Sequence, residues 1–321
     1  MPAISLVVCL FKELGVLKRL LKESSGLYDD LVVVHDGPEI SDLVAPPPVE
    51  APAKQMALNY SALAFDAEIP SFYNIPPLPT RPGSIHESVM LHEGRYVEGP
   101  RCYQQEPHWP FSWWQAKHDW ILRLDADEFP SEGLKDWLRQ FRNSPEPRNQ
   151  ISGYTCIWPL WNGRRPVMTQ WPSNRIFLFN RQRVRFFGMV EQVPIADGRF
   201  ETIRLVLEHR PQRKSYGLGN LLLRRQTYRW RRVIAQSLLG KPTDLSCWRW
   251  TSERWPQIWE DIRQKPLRTA IYRLLIWSLL TMRNFWRYDR KLIPAAAVFG
   301  GTHHCLIALV YWRMRHSALP K

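Results

Sequence analysis

Asp125-Ala126-Asp127 is the segment whose residue types and spacing carry the sharpest chemistry. On extended backbone, side chains two residues apart point the same way, so both carboxylates leave the chain on one side. Read with no fixed cation beside them, they repel each other and favour a hard divalent ion. Magnesium is held in this manner, by one or two carboxylates with substrate phosphates supplying further oxygens. An Asp-x-Asp triplet alone also serves as an acidic surface turn, so its weight rests on its surroundings. An apolar run at 120–124 precedes it and reads as a strand. A helix is predicted over 131–141, with Ser131 as N-cap and Glu132 as the acid of the first turn. In open α/β sheets, ligands sit at such C-terminal strand ends.

The elements that must position this pair begin at the N-terminus. "ISLVVCLF" is a continuous apolar run suited to a parallel strand covered on both faces, and it is too short for a signal peptide. "KELGVLKRLLKES" places Leu14, Leu17, Leu20 and Leu21 at helical spacing. "DDLVVVHDG" is a second β-branched run, ending in His35, Asp36 and Gly37. Strand, helix and strand make a βαβ unit with a right-handed crossover. Between residues 37 and 110 lie 13 of the 27 prolines, which predicts a loop-rich insertion with one short helix near 54–63. Three strand-like runs follow the acidic turn, "SGYTCIWPLWN", "NRIFLFN" and "TIRLVLEHR". From Tyr216 to about Arg315 the pattern is helical, so an α/β domain over 1–215 and a helical region over 216–321 are expected.

In this order the segments resemble the family 2 glycosyltransferases, whose GT-A fold is Rossmann-like with a mostly parallel sheet. The pattern is similar to that of enzymes of lipopolysaccharide-core and lipid-linked glycan synthesis. "SLVVCLFKE" is similar to the family's first strand, and the resemblance puts Leu10 and Glu13 at the nucleotide pocket. "VVVHDG" is similar to the second strand, where Asp36 would contact base or ribose. "DWILRLDADE" matches the metal-binding strand, so Asp125 and Asp127 would hold the ion, with Asp125 also facing the donor. "NRIFLFNRQRVRFFGMVEQV" resembles a segment that reads Gly-x-His-Glu in relatives; Val190 replaces the His and Glu191 keeps the acid. "LVLEHRPQRKS" is similar to a later strand whose His completes the metal site, here His209, a residue that equally fits a core histidine.

The resemblance spans residues 4–36 and 115–240 and implies inverting transfer of a sugar from a nucleotide-sugar, UDP by family default, with Mg2+ or Mn2+. The departing diphosphate needs a Lewis acid, and the attacking hydroxyl needs a carboxylate base. Glu191 is the candidate base and Asp197 its rival. Glu191 also fits a surface acid paired with Arg181, Arg183 or Arg185. Arg101 or Arg175 is suited to neutralising the diphosphate.

The formal charge of +14 is unevenly spread: residues 1–200 sum to −2 and residues 201–321 to +16. That asymmetry points to an anionic partner for the C-terminal part. Two apolar stretches lie there. "LRTAIYRLLIWSLLTM" contains Arg268 and Arg273, and the 21 uncharged residues of "LIPAAAVFGGTHHCLIALVYW" are interrupted by Pro294, Gly300-Gly301 and His303-His304. Arg and Lys beside Trp and Tyr mark helices in the headgroup region, so interfacial rather than spanning helices are expected. The enzyme would then work at the cytoplasmic face of the inner membrane on a lipid-linked or lipopolysaccharide-type acceptor. "RRQTYRWRRV" and "CWRWTSERW" also suit a single-strand nucleic-acid binder, but no recognition-fold signature accompanies them. A non-catalytic membrane scaffold is the third class. The five cysteines have neither disulfide-framework nor zinc spacing, which favours a reducing compartment.

Overall fold

A computed structural model describes residues 1–39, 69, 73–101, 105–145, 150–159, 174–186, 194–210, 231–232, 234–235, 238–239, 257–288 and 293–317. The chain divides into two compact units, Met1–Gln212 and Arg213–Lys321.

The first unit is α/β. Strands β1 (Ile4–Leu10), β2 (Asp30–Asp36), β3 (Arg95–Gly99) and β4 (Trp120–Arg123) run parallel to one another. With β5 (Glu128–Pro130), β6 (Ile151–Ile157), β7 (Asn174–Asn180) and β10 (Arg199–His209) they form one mixed sheet of eight strands. Its order is β3-β2-β1-β4-β7-β6-β10-β5. Strands β8 (Val184–Arg185) and β9 (Ile195–Ala196) pair separately.

Every residue of β1 and β2 is buried, because both faces of the sheet are covered. Ile4, Leu6, Val8 and Leu10 pack on one face with α1 (Leu14–Glu23), whose Val16, Leu17, Leu20 and Leu21 form its apolar stripe. Helix α4 (Glu132–Asn143) contributes Leu134, Leu138 and Phe141 to the same core. It begins where the hydroxyl of Ser131 accepts the Leu134 N–H at 3.4 Å, the expected N-cap. Val7, Cys9, Val32 and Val34 point to the other face, against α3 (Trp109–Trp114), a short helix with all six residues buried. The alternation is the period-2 pattern of a strand with two cores.

The Pro-rich stretch departs from its expected loop character. It holds α2 (Ile85–Met90), capped by Ser84, and β3, a full parallel neighbour of β2. The prolines flank this strand, up to Pro82 and again at Pro100, so its ladder donors are intact. The helix expected near 54–63 lies outside the described residues.

In the second unit, α5 (Gln257–Gln264) is followed by α6 (Pro266–Tyr272), a π-helical turn (Arg273–Trp277) and α7 (Ser278–Tyr288), the last three making one continuous rod. Helix α8 (Ile293–Ser317) packs along that rod and buries His303, Cys305, Ile307, Ala308 and Tyr311. Among the described residues no helix is long and apolar enough to cross a membrane.

Candidate active site

The polarity of the sheet gathers reactive side chains on one edge. The parallel strands β3, β2, β1 and β4 all end there, at Gly99, Asp36, Leu10 and the turn after Arg123. Strand β7 runs antiparallel to β4 with Leu122 opposite Leu178, a register that brings Arg175 level with Asp125. Strands β6 and β10 close the edge with Trp158 and His209, and β5 returns with Glu128 opposite His209. The chain moves outward from β1 through β2 to β3, then crosses back to β4 on the other side of β1. This reversal is the switch point at which open α/β sheets hold ligands.

Asp125 does not stand without a fixed cation, as the triplet alone suggests. Its Oδ2 accepts from Arg175 at 2.7 Å, and the Arg175 Nε lies 3.0 Å from Glu128 Oε1. Glu128 is fully buried, and its Oε2 accepts the backbone N–H of Asp125 at 2.9 Å. Arg123 adds a second buried cation, stacked 4.0 Å over the Trp109 ring. Burial first, then the Arg175 charge, pull Arg123 down to about 10, which leaves it charged at neutral pH. Burial pushes Glu128 up while Arg175 pulls it down; burial also pulls Arg175 down, but Asp125 and Glu128 more than offset that. Burial wins, so the Glu128 pKa is raised overall, while the guanidinium at 3.0 Å and the Asp125 N–H on its other oxygen favour the carboxylate.

Asp127 serves the neighbouring strand end. Its Oδ2 lies 3.1 Å from His209 Nε2, and its carbonyl accepts the Arg210 N–H at 2.8 Å. The His209 ring stacks on Trp158 with centroids 4.6 Å apart. Burial lowers the His209 pKa, but the hydrogen bond and charge of Asp127, with Glu128 and Asp125 behind it, raise it overall. Among the described residues, the buried atoms Asp125 Oδ1 and His209 Nδ1 find no hydrogen-bond partner. Among the described residues no three His, Cys, Asp or Glu groups converge into a complete metal cage. A cation that takes its remaining oxygens from a substrate diphosphate does not require one. The oxygen and imidazole donors of Asp125, Asp127 and His209 are of the type such an ion takes, but they do not form a three-group site by themselves.

The other half of the edge is built around Asp36. His108 Nε2 lies 3.0 Å from its Oδ1, and Arg101 Nε lies 3.9 Å from its Oδ2. Arg101 also donates to the Asp36 carbonyl and rests on the face of Phe11. Tyr73 Oη meets His108 Nδ1 at 3.3 Å. Gly99 makes this approach possible, since a Cβ there would meet His108 at 2.6 Å. Gly37 turns the chain at φ +88°, in the left-handed region that favours glycine, and lies against Arg101. His35 ties the two strand ends: the Lys12 N–H donates to its Nε2 at 3.3 Å and its Nδ1–H donates to the Gly37 carbonyl at 2.5 Å. Burial lowers the His35 pKa and keeps the ring neutral, which that tautomer requires.

Leu10, Glu13, Asp36, Arg101, Asp125, Asp127 and His209 are thus brought to one edge. Leu10 buries its side chain in the core, so only its main chain borders the edge, and the Glu13 carbonyl accepts the first helical N–H groups of α1. Glu191 lies outside the described residues. Two of the arginines suggested as its partners are engaged elsewhere, Arg181 with Asp119 and Arg183 with Asp197, each at 3.0 Å. Asp197 precedes β10 and lies at the opposite edge from His209, the full length of that strand away, which removes it as a base. Tyr73, His108 and Arg123 carry no signal in the sequence; only the fold brings them to the site.

No known protein-family model and no curated protein sequence matches this chain.

Proposed function

We propose that this chain is an inverting glycosyltransferase of the GT-A type. It moves a sugar from a nucleotide-sugar, a UDP-sugar in the reading from resemblance, to a hydroxyl of a lipid-linked or lipopolysaccharide-type glycan. The observation that carries this reading is the Asp125-Ala126-Asp127 turn at the switch point of the sheet, with His209 on Asp127 and Asp36 two strands away on the same edge. Asp125, Asp127 and His209 are the residues that would hold Mg2+ or Mn2+. When bound, the ion supplies Lewis-acid stabilisation of the charge developing on the departing diphosphate. Leu10, Glu13, Asp36 and Arg101 border the nucleotide. Arg175 and Glu128 fix the Asp125 carboxylate and balance its charge. Glu191 takes the proton of the attacking hydroxyl, which enters opposite the leaving group and inverts the anomeric centre. The acceptor is met at the cytoplasmic face of the inner membrane, where the excess charge of residues 201–321 faces anionic lipid.

Asp127→Ala should lower manganese-dependent binding of nucleotide-sugar, measured by calorimetry, and donor turnover by about a hundredfold or more. Turnover at the wild-type rate overturns the reading.

A further inference from the structure

The second unit carries an apolar surface that its own packing leaves uncovered. Leu267, Ile271, Leu275, Leu279, Met282 and Trp286 follow one another at spacings of three or four, so they form a single stripe along the 266–288 rod. Each is between 44% and 62% exposed. Near the start of the rod Thr269 and Ala270 are buried, and α8 packs along the rod. The stripe runs about 30 Å, the length of a 20-residue helix. A soluble monomer rarely leaves an apolar surface of this extent to water.

Charge identifies what covers it. From residue 262 to the end of the sequence a single acidic residue, Asp289, stands against eleven Lys and Arg. Arg268 and Arg283 sit on the rod itself, exposed beside the stripe. A protein partner could cover the leucines, but a bilayer of anionic lipid also answers the flanking cations, whose long side chains reach the headgroups. Tyr272 and Trp286, 52% and 61% exposed, supply rings of the kind that sit at the headgroup level.

We propose that the 266–288 rod is the membrane-docking surface, its stripe lying along the boundary between acyl chains and headgroups of an anionic bilayer. The C-terminal half of α8 then supports it from beneath, because Ile307, Ala308 and Tyr311 are buried within the unit. The inference rests on the membrane-presented acceptor of the proposed function for its purpose, and its test is independent of transfer.

Full-length chain is floated with vesicles containing about one-third phosphatidylglycerol. The double variant Leu275→Glu/Leu279→Glu should bind about a hundredfold more weakly, tenfold for each leucine removed from the acyl boundary. Circular dichroism reports its fold, and Leu275→Ala/Leu279→Ala, with a smaller loss of the same direction, serves where the charged pair misfolds. Nucleotide-sugar affinity, measured on the same variants, should stay at the wild-type value, so a failure of docking and a failure of the transfer reading are seen separately. Equal vesicle binding by wild type and variants overturns the proposal. So does a wild-type chain that ignores the vesicles but dimerises through the stripe, a result that assigns the surface to a second copy.

Discussion

Arg175 ties together two acids of the site. It faces Asp125 and the fully buried Glu128 at once, and it reaches them from 50 and 47 residues away in sequence. Removing its charge leaves Glu128 unpaired in the interior, and an uncompensated buried charge costs about 3–5 kcal/mol. Arg175→Met should therefore destabilise the chain by about that amount in urea unfolding. Adding Glu128→Gln should recover a good part, since the stranded charge leaves with its partner. A single variant as stable as wild type would show that Glu128 is not ionised in the native chain. The acidic triplet itself was readable because its chemistry is local: two carboxylates at a strand end. Its counter-ion was not, because an antiparallel register across β4 and β7 brings Arg175 to Asp125, and no spacing in the sequence encodes that register.

Strands and helices differ in how openly they announce themselves. Strands β1, β2, β4 and β7 are continuous apolar runs, and α1 and α4 show helical spacing with a cap on α4, so these elements were legible. Strand β3 was not: only Tyr96 and Val97 within it are large buried apolar residues, and prolines crowd both sides. Strand β5 has three residues and ends in Pro130, which only a sheet edge tolerates. The site depends on these elements being joined at their ends, and His35 is one such joint between β1 and β2. Its pKa is held below the usual histidine value of 6.5, chiefly by burial. A depressed pKa means that the unfolded chain takes up the proton first as the pH falls. The stabilising contribution is full above 6.5 and is lost as the pH drops through the folded value. Stability measured from pH 7.5 to about pH 5 should therefore fall more steeply for wild type than for His35→Gln, which has no proton to gain. Parallel curves for the two would remove His35 as a titrating joint.

At the scale of the whole chain, charge is divided as sharply as structure. Residues 1–200, which carry the sheet and its edge, sum to −2, while residues 201–321 sum to +16. Each Lys or Arg near an anionic leaflet contributes about 1 kcal/mol, and that contribution fades beyond a screening length of about 8 Å at physiological salt. The apolar stripe of the 266–288 rod is not screened by salt. Two attractions of different physics should therefore separate when ionic strength is changed. Raising NaCl from about 0.05 to about 0.5 M should weaken full-chain binding to anionic vesicles by tenfold or more. Over the same range, the weaker binding to purely zwitterionic vesicles should stay constant or strengthen, because it rests on the stripe alone. Nucleotide-sugar affinity should change far less than anionic-vesicle binding, since it involves a unit that is nearly neutral overall. Flotation and calorimetry on one preparation measure all three. If salt releases the chain equally from both kinds of vesicle, the stripe contributes nothing, and the cations alone bring the chain to the membrane.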